Sequence, residues 1–327
     1  MYNLFIYFSF MKNFIITFFS LFVVSCSSND SPTEDNTEGA ILKNYKEYGE
    51  YGNIHLFDNE GTRYDKITRS KGEIFIDFSY DSNNRMTEIA ISPDSSPVTT
   101  TFTYNSNDQI IKMEKDSRKA GTAGKLFVWL FTHNKNVVTG ELVSSDDPNF
   151  NHVKVQYTFN DEGLLISKHN YVDYPAKENR PIRTTSYETL KYDKNKNLIS
   201  LKMSTGGTHD LPDSPANLYA ESVTYEYDDK INPVNQAYMN HYVNYILSNE
   251  FPFVLERGSI QDHVAGTGKN NLIKTNYPVA EFGGIPIDNV YKNTYNYQLN
   301  NLPRSMSRIS TEDNKEYGGL TFNYSVK

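Results

Sequence analysis

Seven histidines, His55, His133, His152, His169, His209, His241 and His263, are the first residues to test for chemistry. None falls in an HExxH pattern or another paired-ligand spacing, so surface or internally satisfied histidines are expected. Gly266-Thr267-Gly268-Lys269 lacks the earlier glycine and the following Ser/Thr of a phosphate loop, and reads as a turn. Ser144 to Asn149, "SSDDPN", is rich in oxygen ligands but lacks the alternating spacing of a calcium loop, and reads as a solvated hairpin tip. No GxSxG elbow occurs. A carboxylate pair for glycoside hydrolysis depends on proximity in space, which sequence order does not reveal. No catalysis, no cofactor and no transition metal are therefore expected. The candidate ligand-binding residues are aromatic: Tyr238, Tyr242 and Tyr245, with Phe251 and Phe253 nearby. Their rings offer contact area, and the tyrosines add a polar tip. The same spacing also suits a helix that buries those rings against a sheet.

Cys26 is the one cysteine, so no intrachain disulfide can form. The run Met11 to Cys26, "MKNFIITFFSLFVVSC", explains it. Lys12 supplies a positive start, Phe14 to Val24 form an apolar core too short to span a bilayer comfortably, and Val23-Val24-Ser25-Cys26 resembles a bacterial lipobox. The expectation is a signal peptide over residues 1–25, cleavage after Ser25 and acylation of the Cys26 thiol, giving a membrane partner through an N-terminal lipid anchor. Met11 is the expected true start, since the first ten residues carry no charge. Residues 26–39 are nearly all small, polar or acidic, and read as a disordered tether. Their acids resemble the export signal of Bacteroidota surface lipoproteins.

The formal charge is −8, and residues 1 to 25 hold one lysine and no acid, so the remainder carries −9. An acidic surface disfavours nucleic acid and anionic membrane surfaces. The 25 Tyr and 19 Phe against one Trp favour pleated, half-buried surfaces.

A short phrase recurs. An aromatic is followed by Asp, Asn or Gln and a polar turn at Phe57, Tyr80, Tyr104, Phe159, Tyr192 and Tyr297, with degenerate copies at His133-Asn134 and Tyr227-Asp228. The Asp or Asn side chain can bond its own backbone two residues on. Four residues after the aromatic stand Gly61, Asn84, Asp108, Gly163, Lys196 and Asn301. All but Lys196 tolerate a left-handed backbone, which predicts a type I turn, an αL residue and a bulge. At the Lys196 copy the αL position is expected to shift to Asn195 or Asn197.

The flanks alternate with period two: Val153, Val155, Tyr157 and Phe159 against Lys154, Gln156 and Thr158; Val223, Tyr225 and Tyr227 against Thr224 and Glu226. The prediction is an all-β domain over 40–327, a large antiparallel meander of roughly 14 to 16 strands that must curl, split or close, as a soluble curled or barrel-like sheet. "KLFVWLF" at 125 to 131 is apolar on both faces and is expected to be buried on both, with Trp129 in the core. One stretch breaks the alternation: Pro233 to Pro252 predicts a helix inserted near 234–249.

These phrases resemble the Tyr-Asp repeats of large β-shell proteins. With "YEYDDKINP" (225 to 233), Lys269-Asn270-Asn271 and the closing "YNYQLNNLP", the order of motifs resembles Bacteroidota lipoproteins carrying a domain of unknown function described as porin-like in fold. The resemblance implies a β-rich envelope domain at the outer membrane and brings no catalytic residues. Three functions compete: a surface binding module for glycan or protein, a structural or accessory component of an outer-membrane complex without a small ligand of its own, and, last, a glycan-active enzyme. A transmembrane barrel is disfavoured, because Tyr and Phe recur along the strands instead of gathering in two girdles.

Overall fold

The computed structural model describes residues 40–48, 53–58, 61, 63–69, 74–93, 97–120, 124–145, 153–172, 183–205, 219–235, 268–277, 280–282, 285–287, 290–298, 300–312 and 314–326. The signal peptide, Cys26, the tether, Tyr238, Tyr242, Tyr245 and all of the expected helix beyond Asn235 lie outside the described residues.

The strands are β1 (Ala40–Tyr48), β2 (Ile54–Phe57), β3 (Tyr64–Thr68), β4 (Ile74–Tyr80), β5 (Met86–Ile91), β6 (Val98–Tyr104) and β7 (Ile110–Asp116). Next come β8 (Leu126–Asn134), β9 (Val137–Ser145), β10 (Val153–Phe159), β11 (Leu165–Val172), β12 (Arg183–Tyr192), β13 (Leu198–Thr205) and β14 (Tyr219–Ile231). The last are β15 (Asn270–Asn276), β16 (Ala280–Phe282), β17 (Ile285–Ile287), β18 (Val290–Tyr297), β19 (Pro303–Ser310) and β20 (Glu316–Val326). Among the described residues the one helix with given bounds is a 3-10 turn, Arg118–Ala120. Of the expected helix near 234–249 only Val234 and Asn235 are described: a turn at Asn232, whose side chain accepts from the Val234 amide at 3.1 Å, leads to a single α-helical residue, Asn235, which does not establish the helix.

Each strand from β1 to β14 pairs with its successor, β15 pairs with β18, β18 with β19, β19 with β20, and β20 returns to β1; β16 and β17 form a separate hairpin. The 18-stranded sheet is therefore a closed antiparallel barrel, which resolves the expected choice between curling, splitting and closing. The eight phrases account for 16 of the 18 barrel strands; β1 and β20, which no phrase joins, make up the rest by pairing with each other.

A closed wall has one inside, and the alternation decides what fills it. Ile76, Met113, Tyr157, Leu198 and Leu201 are fully buried and belong to one apolar cluster drawn from strands around the barrel. A barrel of this strand number can enclose a water channel. Burial this complete means that side chains close the interior at that level. The outward row is mostly polar, with Lys112, Glu114, Thr139, Glu141, Lys154, Gln156, Lys202, Thr224, Glu226, Lys292 and Thr294, though Leu130, Val143 and Ile199 are exposed among them. Trp129 is buried in the interior, as expected, but Leu130 is 44% exposed. Burial of both faces of that strand fails because a single-layer wall has nothing outside it to cover Leu130.

Antiparallel order puts every phrase on the same rim, since each joins an even-numbered strand to its successor. The φ angles are +67° at Gly61, +61° at Asn84, +59° at Asp108, +78° at Gly163, +66° at Lys196 and +61° at Asn301. Register shifts fall beside each phrase aromatic, as the predicted bulge requires. Lys196 itself is left-handed, against expectation. Its amide donates to the Asp193 carbonyl, and Asp193 holds the Asn195 and Asn197 amides, so the turn imposes the conformation on a residue that does not favour it.

Candidate functional site

The regular turns set the baseline. Oδ1 of Asp81 accepts the amides of Asn83 and Arg85 at 2.9 and 3.0 Å. Asn105, Asn160 and Asp193 repeat this, always two and four residues on. The phrase aromatic staples its hairpin to the one before. Tyr80 donates to the Tyr64 carbonyl (2.7 Å), Tyr104 to Met86 (2.5 Å), Tyr192 to Leu165 (2.8 Å) and Tyr227 to Leu198 (2.8 Å). His133, in a degenerate copy, makes the same bond to Ile110 at 2.7 Å. The acceptor is each time the first residue of the strand that leaves the previous phrase.

Asp228 departs from this baseline. Its Oδ1 accepts the Lys230 amide two residues on at 2.9 Å, but its second amide comes from Asn271, 43 residues away, at 3.1 Å. The turn is intact in geometry and split in sequence: the chain leaves after Ile231 and re-enters at Asn270, which pair with each other. Asparagines hold the two ends of this excursion together. The Asn232 amide donates to the Lys269 carbonyl (2.9 Å) and its side chain to the Gly268 carbonyl (3.0 Å). The Asn270 amide donates to Asn197 Oδ1 (3.0 Å), and Asn197 Nδ2 donates to Asn270 Oδ1 (2.9 Å) and Asp193 Oδ2 (2.9 Å). A Cβ on Gly268 would stand 2.7 Å from Asn197 Oδ1, so glycine is needed at this close approach. Buried amides of this kind stay in place because each finds a partner.

Tyr297 carries the clasp across to β18. Its hydroxyl donates to Asp228 Oδ2 instead of to a strand carbonyl, and it receives Asn271 Nδ2 at 3.3 Å. Burial raises the phenol of Tyr297 above its ordinary range, and the Asp228 carboxylate adds to the rise. The substitution follows from a seam. β15 and β18 pair at three positions, Lys274 with Lys292, Thr275 with Tyr291 and Asn276 with Val290, and the ladder then stops. Below it Asn293 Nδ2 donates to the Leu272 carbonyl at 2.9 Å, a side chain standing where a ladder amide would be. Lys274 and Lys292 are like charges directly opposed, which weakens the seam further; Lys274 is drawn to Glu226 at 2.7 Å on its other side.

The inner wall beside the seam is also different. Tyr291, Asn293 and Tyr295 of β18 and Arg308 of β19 face inward and are half-buried, beside the fully buried apolar cluster. The Arg308 guanidinium lies over the Tyr291 ring, 4.5 Å from its centroid, and Tyr277 meets that ring edge-on at 5.8 Å. Burial raises the Tyr295 phenol above its ordinary range; Asp228 adds to this and the Arg308 cation opposes it.

The seam gathers the three segments quoted above for the resemblance: Tyr227 to Asn232, Lys269 to Asn271 and the strand ending at Tyr297. In this chain the three segments bond one another. Sequence reasoning missed Asn197, Asn293 and Arg308; no spacing rule points to residues joined only by barrel closure. The expected ligand residues Tyr238, Tyr242 and Tyr245 are not among the described residues, so their placement is not part of the seam as described. Among the described residues no three His, Cys, Asp or Glu gather to hold a metal ion. His55 is buried, stacked on Tyr45 at 4.2 Å and bonded to Glu47 at 2.7 Å.

No protein-family model matches the chain, and no curated protein matches it. Solved structures similar to it include a porin-like protein from Bacteroides vulgatus, at 10% identity over 88% of this chain and 99% of that one, with a TM-score of 0.37. A porin-like protein from Bacteroides uniformis is 13% identical over 87% of this chain and 96% of that one, with a TM-score of 0.39. The Photorhabdus luminescens Tc holotoxin pore matches 79% of this chain and 13% of its own at 13% identity, with a TM-score of 0.32. Scores of this size decide neither family nor function.

Proposed function

We propose that the chain is a lipid-anchored protein of the outer membrane whose barrel stands in water and serves as a binding module for a glycan or a protein, without catalysis of its own. The observation that carries this reading is the polarity of the wall. A barrel that spans a bilayer presents an apolar band to lipid and keeps polar groups inside. Here the balance is reversed: Lys, Glu and Thr predominate outside, with Leu130, Val143 and Ile199 as exposed exceptions, and Ile76, Met113, Tyr157 and Leu201 fill the inside. The apolar leader and Cys26 then supply the membrane attachment that the wall does not.

Cys26→Ala tests it. Loss of the acylation site should move the protein from the membrane fraction to the soluble fraction, with mass spectrometry of the wild-type N-terminal peptide finding an acylated Cys26. A variant that stays in the membrane and needs detergent to leave it would overturn the reading. A structural or accessory component without a ligand of its own is the second reading, favoured by the clasp at Asp228, which ties β14, β15 and β18 together.

A further inference from the structure

Two polar groups on the inner wall lack the partner their chemistry calls for. Arg308 brings five N–H donors to a half-buried, inward position, and among the described residues it meets no carboxylate and no other acceptor; its contact is the face of Tyr291. Asn293 Oδ1 is buried and receives no hydrogen bond among the described residues, while its Nδ2 is committed to Leu272. The two residues are direct cross-strand partners on β18 and β19. Such partners hold their Cβ atoms roughly 5 Å apart. A cation and an orphan acceptor therefore stand side by side on the interior face. Leaving either unmet costs free energy, and a ligand could meet both at once.

The chemistry required is specific. The Arg308 guanidinium is packed over the Tyr291 ring, and its planar fork matches a carboxylate with two parallel bonds. Asn293 Oδ1 calls for a donor, which a hydroxyl supplies. Tyr291 and Tyr277 give ring faces and edges for C–H surface. Gly318, opposite Arg308 on β20, places no side chain beside it.

We propose that Arg308 and Asn293 form a binding site for a hydroxylated carboxylate of the sugar-acid type, with the carboxylate on the Arg308 fork and a hydroxyl donating to Asn293 Oδ1. The site rests on the reading of the barrel as a binding module and is independent of the anchor.

Titration calorimetry on the purified full chain with glucuronate, glucose and acetate tests it. Glucuronate should bind at least tenfold more tightly than either control. Arg308→Gln should lose that binding tenfold or more. Arg308→Lys, which keeps the charge and guards against loss of fold, should also weaken it, because an ammonium has no planar fork. Asn293→Asp places an anion opposite Arg308 within the chain and should abolish glucuronate binding. Absent glucuronate binding, equal binding of glucose, or an Arg308→Gln protein that binds like the wild type would overturn the proposal. Cys26→Ala should bind glucuronate unchanged, so failure of the site and failure of the anchor give different results.

Discussion

Two regions of one barrel use the same turn in opposite ways. In the wall from β4 to β13, Asp81, Asn105, Asn160 and Asp193 bond residues two and four along, and the hydroxyls of Tyr80, Tyr104 and Tyr192 reach back one hairpin. Between β14, β15 and β18 the same bonds are made by Asp228, Asn271 and Tyr297, across 43 and 69 residues of sequence. The comparison teaches that the phrase is a hydrogen-bond pattern before it is a string of letters. Where the chain interrupts the string, other residues restore the pattern, and asparagine supplies most of them because its amide both donates and accepts.

The largest test of that difference is at the turn acid itself. Asp228→Ala removes a carboxylate that holds two strand ends and the Tyr297 hydroxyl, and should cost about 3 kcal/mol in denaturant unfolding. Asn160→Ala removes the matching residue of an intact turn, whose backbone bonds remain, and should cost about 1 kcal/mol. Equal costs would break the comparison.

Within the rim the turns are not equivalent either. A Cβ at Gly61 would stand 2.9 Å from the Leu42 carbonyl oxygen and 2.9 Å from Ile41 Cγ2, at a φ of +67°. At Gly163, with φ +78°, it would meet nothing within 4 Å. Gly61→Ala should therefore destabilise by about 2 kcal/mol, and Gly163→Ala by about 1 kcal/mol from backbone conformation alone. Matching unfolding midpoints for the two variants would show that β1 does not press on that turn.

The smallest effect concerns a charge inside the regular wall. Lys115 is 6% exposed, and burial lowers its amine from 10.5 to about 8. Below about 8 both folded and unfolded chains hold the proton, and the cost of burying it is fully present. Between about 8 and 10.5 the unfolded chain binds more protons, so stability rises with pH and the cost fades. Lys115→Met should thus stabilise by about 1 kcal/mol near pH 7, and the gain should shrink as pH rises past 8. A gain that is constant from pH 7 to 10 would show that the amine is not depressed.

Much of this was legible in the residues. Alternation in Val153 to Phe159 predicts an apolar face, and the phrase predicts αL residues at Gly61, Asn84, Asp108, Gly163 and Asn301, where they are found. Lys196 was not legible, because its conformation comes from Asp193 rather than from its own type. Exposure of Leu130 was not legible, because a one-layer wall looks in sequence like a strand buried on both sides. Asn293 and Arg308 were silent for another reason. Their distinction lies in what they fail to touch, and an unmet hydrogen bond leaves no trace in spacing.

Closure of the ring by β1 against β20 carries one more consequence, for self-association. With every barrel strand paired on both sides, the wall offers no backbone edge on which another chain could template itself. That protection hangs on the first strand of the domain. Clipping the chain between β1 and β2 and losing β1 would bare the flanks of β2 and β20 together, creating two sticky margins in a single event. Aggregation of this protein should accordingly track the integrity of residues 40–48 more closely than any rim turn, and a nick there would convert an inert cylinder into a polymerising one.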